Sequence, residues 1–327
     1  MVWLTWRQFR VQAALALGAL VVLAVIMVAT GLHLRHLYDT SGIATCNQHG
    51  DCATLISSFF SHYLLLSPLL GFALLAAPIL LGMFWGAPLL ARELESGTYR
   101  LAWTQSITRT RWLAVKVAIV GFASVAVCEM LSLMLTWWAA PIDHVNMNRF
   151  TPSVFDERGI VAIGYAAFAF ALGITTGTII RRTLPAMVTT LTAFVTARVV
   201  VSDWVRPHLQ PPLTLRAPLT LARNVVLHPG GGTGFAISAG GAPPHPSDWL
   251  LSSNTITTTG QVITLQKPGC TVGPNLSRAC INSLRSVVTY QPASRYWPFQ
   301  AYEMTIFLAL ALILAGVSFW WVRRRLS

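Results

Sequence analysis

The chain has 327 residues, 54% of them hydrophobic and only 10% charged, which excludes an ordinary soluble domain and fits a polytopic membrane protein. A formal net charge of +12 would suggest nucleic acid in a soluble chain. Here it fits arginine and lysine retained on one side of a bilayer near anionic headgroups, so no nucleic-acid partner is expected.

Residues 1–12 set Trp3, Trp6 and Phe9 beside Arg7 and Arg10, the pattern of a short interfacial helix or of a flanking anchor. The first apolar run, about residues 13–34, has the length of a full span, and no cleavable leader is expected. A polar loop carrying Cys46 and Cys52 follows. Span two, about residues 64–90, contains Pro68, Pro78 and Pro88 and should tilt or kink. A charged island at residues 91–116 holds Arg92, Glu93, Glu95, Arg100, Arg109, Arg111 and Lys116. Each such charge would cost roughly 2.5–3.5 kcal/mol at the bilayer centre, so the island belongs in water or against another protein. Span three covers about residues 117–140. A polar stretch with Asp143, Asp156 and Glu157 leads to span four, about residues 159–180. Arg181 and Arg182 form a tight turn before span five, about residues 184–204.

Residues 205–300 contain no membrane-length apolar run. They are rich in Gly, Pro, Ser and Thr, with strand-like alternation at residues 255–265 and 286–290. Span six, about residues 301–322, ends in Arg323, Arg324 and Arg325. The fold class is therefore mainly α, a six-helix transmembrane bundle with a mixed β/loop domain between spans five and six. Residues 1–204 hold spans one to five, 205–300 the inserted domain, and 301–327 the last span and basic tail.

The amino terminus, the island, the 181–182 turn and the tail together hold 12 lysines and arginines, against three (Arg35, Arg149, Arg158) in the two short loops opposite. The positive-inside rule then places both termini in the cytoplasm of a plasma-membrane protein and residues 205–300 outside the cell. Cys46 with Cys52 and Cys270 with Cys280 fall on that outer side, where disulfides persist; two local bridges are the simplest pairing, and crossed connectivity stays open. Trp137, Trp138, Trp204 and Trp297 read as one aromatic belt, Trp320 and Trp321 as the other.

Within the spans, Glu129 and Arg198 both sit roughly 20 Å deep at 1.5 Å per residue and are expected to pair, as a polar element of a path or as a structural pair setting helix register. The eight histidines lie outside or at span edges with no metal-ligand spacing, and PGGGTGF lacks the Lys-Ser/Thr of a nucleotide loop. Residues 205–300 set seven basic residues, Arg206 among them, against the single acid Asp248, a basic surface for anionic partners or for water. No nucleophile–base–acid set converges by spacing, so no catalytic site is expected.

The segment PLLARELESGTYRLAWTQSITRTRWLAVK, residues 88–116, resembles the loop between spans two and three of type-2 ATP-binding-cassette exporter permeases, with its E-x-E-x-G-T pattern and following S/T-x-x-R-W-x-x-x-K. YQPASRYWPFQAYE, residues 290–303, is similar to the lead into the last span of actinobacterial members. The resemblance implies a permease with no cofactor of its own, docked onto cytoplasmic ATPase subunits that hold ATP and Mg. It implies pairing with a second permease, identical or paralogous, in the lipid bilayer, and an elbow helix at the amino terminus. By the same resemblance the coupling segment comprises Glu93, Leu94, Glu95, Gly97, Thr98, Arg100 and Leu101, with Trp103 adding apolar contact. The competing expectations are a polytopic membrane enzyme and a ligand-binding membrane sensor that transports nothing.

Overall fold

The computed structural model describes residues 2–43, 52–61, 66–97, 108–146, 148–218, 225–229, 235–239, 242–257, 260–263 and 284–325. The chain divides into two units, one of Met1–Asn146, Pro152–Arg206 and Pro298–Ser327, the other of Met147–Thr151 and Pro207–Trp297.

Among the described residues six helical stretches are long and apolar enough to cross a membrane: Thr5–Thr40, Leu66–Ser96, Arg109–Val145, Val161–Ile180, Thr183–His208 and Ala293–Arg325. They fall where the apolar runs of the sequence put them. Helix α1 (Val2–Thr40) is unbroken for 39 residues, so residues 2–12 extend the first span and do not form a separate interfacial or elbow helix. The physical reason is plain: no glycine or proline precedes Gly18 to interrupt the hydrogen-bond ladder. Tertiary contacts hold this extension in place. Phe9 meets Trp85 edge-on at 4.7 Å, and Gln8 donates to Glu93 at 3.2 Å.

After the short α2 (Cys52–Ser61), span two consists of α3 (Leu66–Leu81), a π-helical turn at Gly82–Gly86, and α4 (Ala87–Ser96). Span five repeats the device, with α8 (Thr183–Val200) followed by a π turn at Val201–Val205. In each case the residue just before a proline, Ala87 or Arg206, donates its N–H five residues back, to Gly82 or Val201. Proline has no N–H, and its ring clashes with the carbonyl four residues back. The wider π turn moves that carbonyl aside and lets the helix pass Pro88 and Pro207. The irregularity expected of span two is therefore a π turn tied to Pro88.

Span three is α5 (Arg109–Asn146), started by Thr108, whose Oγ1 accepts from the Arg111 N–H at 3.4 Å. A single turn and a half, α6 (Pro152–Glu157), leads to α7 (Val161–Ile180), and the last span is α9 (Tyr296–Arg325). Helix α7 is the axis of the first unit, buried along nearly its whole length. Lipid tails are as apolar as leucine, so the packing of such a helix rests on close contact and interhelical hydrogen bonds. Both are present. Gly82 and Gly86 of the π turn face Gly173 and Gly177 of α7; a Cβ on Gly82 would lie 2.5 Å from the Ala169 carbonyl oxygen, and one on Gly86 2.8 Å from that of Phe170. Thr176 and Thr190 share a hydrogen bond at 2.7 Å, Thr175 and Ser318 one at 2.9 Å. Trp138 is also buried, its Nε1 donating to Thr30 Oγ1 at 2.9 Å, so it belongs to the helix packing and not to an aromatic belt.

The second unit contains a four-stranded antiparallel sheet in the order β1 (Leu213–Pro218), β6 (Leu284–Gln291), β4 (Trp249–Thr257), β5 (Val262–Ile263), and a separate hairpin of β2 (Val225–Pro229) and β3 (Phe235–Ala239). Burial alternates along β6, with Leu284, Ser286 and Val288 inward. The described residues of 255–265 form the end of β4, a turn at Gly260 with φ of 84°, and β5. The single acid Asp248 is buried and accepts from the N–H groups of Ala293 (2.9 Å) and His245 (3.1 Å).

Candidate functional site

Two sets of polar contacts tie the helix ends of the first unit together, one at each end of the spans. At the end where α4 stops, Glu93 bridges to Lys116 of α5 and accepts from Gln8 of α1. Lys116 is itself buried and stacks over Trp112 at 4.8 Å. Glu95 accepts from both the N–H (3.2 Å) and the Oγ1 (2.9 Å) of Thr183, capping the first turn of α8 from outside that helix. Leu94 is half-buried against the packed helices. Gly97 ends α4 in the left-handed conformation, φ 74°, a position that favours glycine. Both acids expected to face a partner are thus engaged within the chain, at the meeting point of spans one, two, three and five. The remaining residues of the expected coupling segment, Thr98, Arg100 and Leu101 together with Trp103, lie outside the described residues. So do Cys46, Cys270, Cys280 and the side chain of Cys52.

At the opposite end, the turn between α6 and α7 is gripped from three other helices. Arg206, 0% exposed and set at the end of the π turn, reaches both oxygens of Glu303 (Nε to Oε2 2.7 Å, Nη2 to Oε1 2.9 Å) and bridges to Asp156. Arg198 takes the other oxygen of Asp156 at 2.6 Å. The Tyr165 hydroxyl lies 3.0 Å from Asp156 and 2.5 Å from Glu303 and donates to one of them. Aromatic faces cover the cations, Tyr165 under Arg198 at 3.9 Å and Phe155 under Arg206 at 4.1 Å. Two guanidinium groups balance two carboxylates, which is how such charges are held out of water.

Backbone contacts complete the grip. Gln300 donates to the carbonyls of Phe155 (2.8 Å) and Arg158 (3.0 Å) and accepts from the Val161 N–H (3.0 Å). Ser132 of α5 lies 3.2 Å from the carbonyls of Glu157 and Gly159, and Arg158 bridges to Asp143. The Glu157 carboxylate packs against Gly71 of α3. Burial pushes its pKa up to about 7, against the opposing pull of Arg158, with Asp156 and Asp143 adding to the rise.

The expected Glu129–Arg198 pair does not form. Arg198 reaches up its helix to Asp156, and Glu129 Oε2 is buried with no hydrogen-bond partner. Arg206, placed by the sequence on a basic outer surface, is instead fully buried. The cluster of Asp156, Tyr165, Arg206 and Glu303 went unread because its members sit at span edges, where charge ordinarily means solvent. Its one sequence signal is Glu303, an acid inside the apolar run of the last span. Among the described residues no group of three or more metal-ligating side chains gathers.

A family model described as ABC-2 membrane transporter related matches residues 17–206, more than half of the chain, from within the first span to near the end of the fifth. No curated protein and no solved structure matches the chain.

Proposed function

The chain belongs to the ABC-2 membrane transporter related family, and from that premise we propose that it is the permease subunit of an ATP-binding-cassette exporter. It is a multi-pass membrane protein. In the proposed reading separate cytoplasmic ATPase subunits bind ATP and Mg and drive it, and a second permease, identical or paralogous, completes the path. The observation that carries the reading is the family match across five consecutive spans, joined by a sixth helix of membrane length. Both termini face the cytoplasm, as the arginine count favours, which places the strand-rich unit outside.

The coupling segment is the end of α4 with the loop after it. Glu93 and Glu95 act there as internal struts: a push on α4 reaches α1 and α5 through Glu93, and α8 through Glu95. Spans two and five then reorient to open outward, in alternating access. The test is co-purification from native membranes with a soluble protein that carries a G-x-x-x-x-G-K-[ST] phosphate loop, followed by reconstitution in vesicles. ATP hydrolysis tied to outward movement of a substrate is the expected result. Isolation of the functioning chain with no ATPase attached refutes the proposal.

A further inference from the structure

We propose that Glu129 is the recognition group of a membrane-facing groove that binds a lipophilic organic cation. The groove lies within the first unit, between α5, α7 and α9, and its cavity measures about 190 Å³. An apolar cavity of about 150 Å³ holds a benzene ring, so the groove takes one aromatic arm of a larger ligand. Val125 lines it from α5, Phe170 and Ala171 from α7, Leu308 and Ala315 from α9. Its one polar lining residue, Ser318, already shares its hydroxyl with Thr175 at 2.9 Å. Such a wall offers shape and apolar contact but no directional recognition. Glu129 stands one helical turn beyond Val125 on α5, about 6 Å along the axis.

Four other acids around the spans have found cations. Glu93 meets Lys116, Asp143 meets Arg158, and Asp156 and Glu303 meet Arg206. Glu129 bridges to no cation among the described residues, and one of its oxygens is buried without a hydrogen-bond partner. Arg198, the cation at a comparable depth, is held by Asp156. A carboxylate kept at the middle of a span without a partner is expensive and is retained where something charged comes to it. Opposite charge beside an apolar groove selects a cation whose bulk is hydrocarbon. The ligand class rests on these residues alone; calling that ligand the cargo rests on the exporter reading.

The full chain in lipid nanodiscs, without ATPase, is tested for binding of tetraphenylphosphonium by equilibrium dialysis, with tetraphenylborate as the anion of matching shape. Saturable binding of the cation alone is expected, weakened at least tenfold by Glu129→Gln and retained within a few-fold by Glu129→Asp. Ala315→Trp, which fills the groove and leaves the carboxylate, is expected to weaken it as strongly and keeps the test open if Glu129→Gln does not fold. Equal binding of both ions, undiminished binding by folded Glu129→Gln, or cross-linking of Ala315→Cys between two copies across the groove each overturns the proposal. Because no ATPase is present, loss of cation binding leaves the exporter reading standing, and absence of an ATPase partner leaves the groove standing.

Discussion

Arg206 ties two helices of the bundle together, because two carboxylates on different helices converge on it in a site closed to water. Removing one member of a buried ion pair costs about 3–5 kcal/mol, since the partner stays buried and uncompensated. Arg206→Met is therefore expected to lower the thermal unfolding midpoint sharply in detergent. Adding Glu303→Gln should recover much of the loss, because Asp156 keeps Arg198 and the neutral amide no longer needs a counter-ion. Additive losses in that double-mutant cycle would contradict the pairing. Glu157 makes a second prediction, about pH. Its carboxyl sits against Gly71 with a pKa near 7, above the 4.5 of the free group, so the folded state holds the proton more tightly than the unfolded chain. That contribution is complete below about 4.5 and fades as pH rises through about 7. Thermal midpoints measured from pH 5 to 8 should fall with an inflection near 7, and Glu157→Gln should flatten that step. Neither behaviour was legible in the sequence. Whether Arg198 meets Glu129 or Asp156 depends on the rotation and height of helices far apart in the chain, and a depth count along one helix fixes neither.

The helices themselves were far more legible, since a run of apolar residues long enough to span a bilayer is a property of one segment alone. What composition hid is which span sits at the centre. Helix α7 is no more apolar than its neighbours; it is central because Gly173 and Gly177 let the backbone of span two come into contact with it. The matching four-residue spacings, Gly82 to Gly86 and Gly173 to Gly177, were present in the sequence, but facing positions on two helices are a tertiary fact. A Cβ on Gly173 would strike backbone atoms of Gly82 and Ala87, and backbone on a packed helix has no room to yield. Gly173→Ala is thus expected to destabilise the protein and raise its protease sensitivity. Gly316→Ala in α9, where nothing lies within 4 Å, should be neutral or stabilise by about 0.5–1 kcal/mol. Equal midpoints for the two variants would remove the seam from the account.

Over the whole molecule, the end of α4 is where the proposed drive has to enter, and the contacts there say which variants test it cleanly. Glu93→Ala strands the buried Lys116, so a loss of transport in that variant would be confounded with a loss of fold. Glu95 is different. Its carboxylate is exposed and touches the rest of the chain through Thr183 at the start of α8, joining the end of span two to the start of span five. Glu95→Ala is expected to leave the thermal midpoint and ATPase co-purification unchanged. It should lower substrate moved per ATP hydrolysed by at least about fivefold, the low end of energetic couplings between distant sites. The ratio is read in vesicles from transport and phosphate release measured together. Thr183→Val removes the hydroxyl but leaves the N–H bond to Glu95, so it should give an intermediate ratio. If both variants transport with wild-type stoichiometry, motion passes from α4 to the bundle by another route, and the packed Gly82–Gly173 contact is the next one to break.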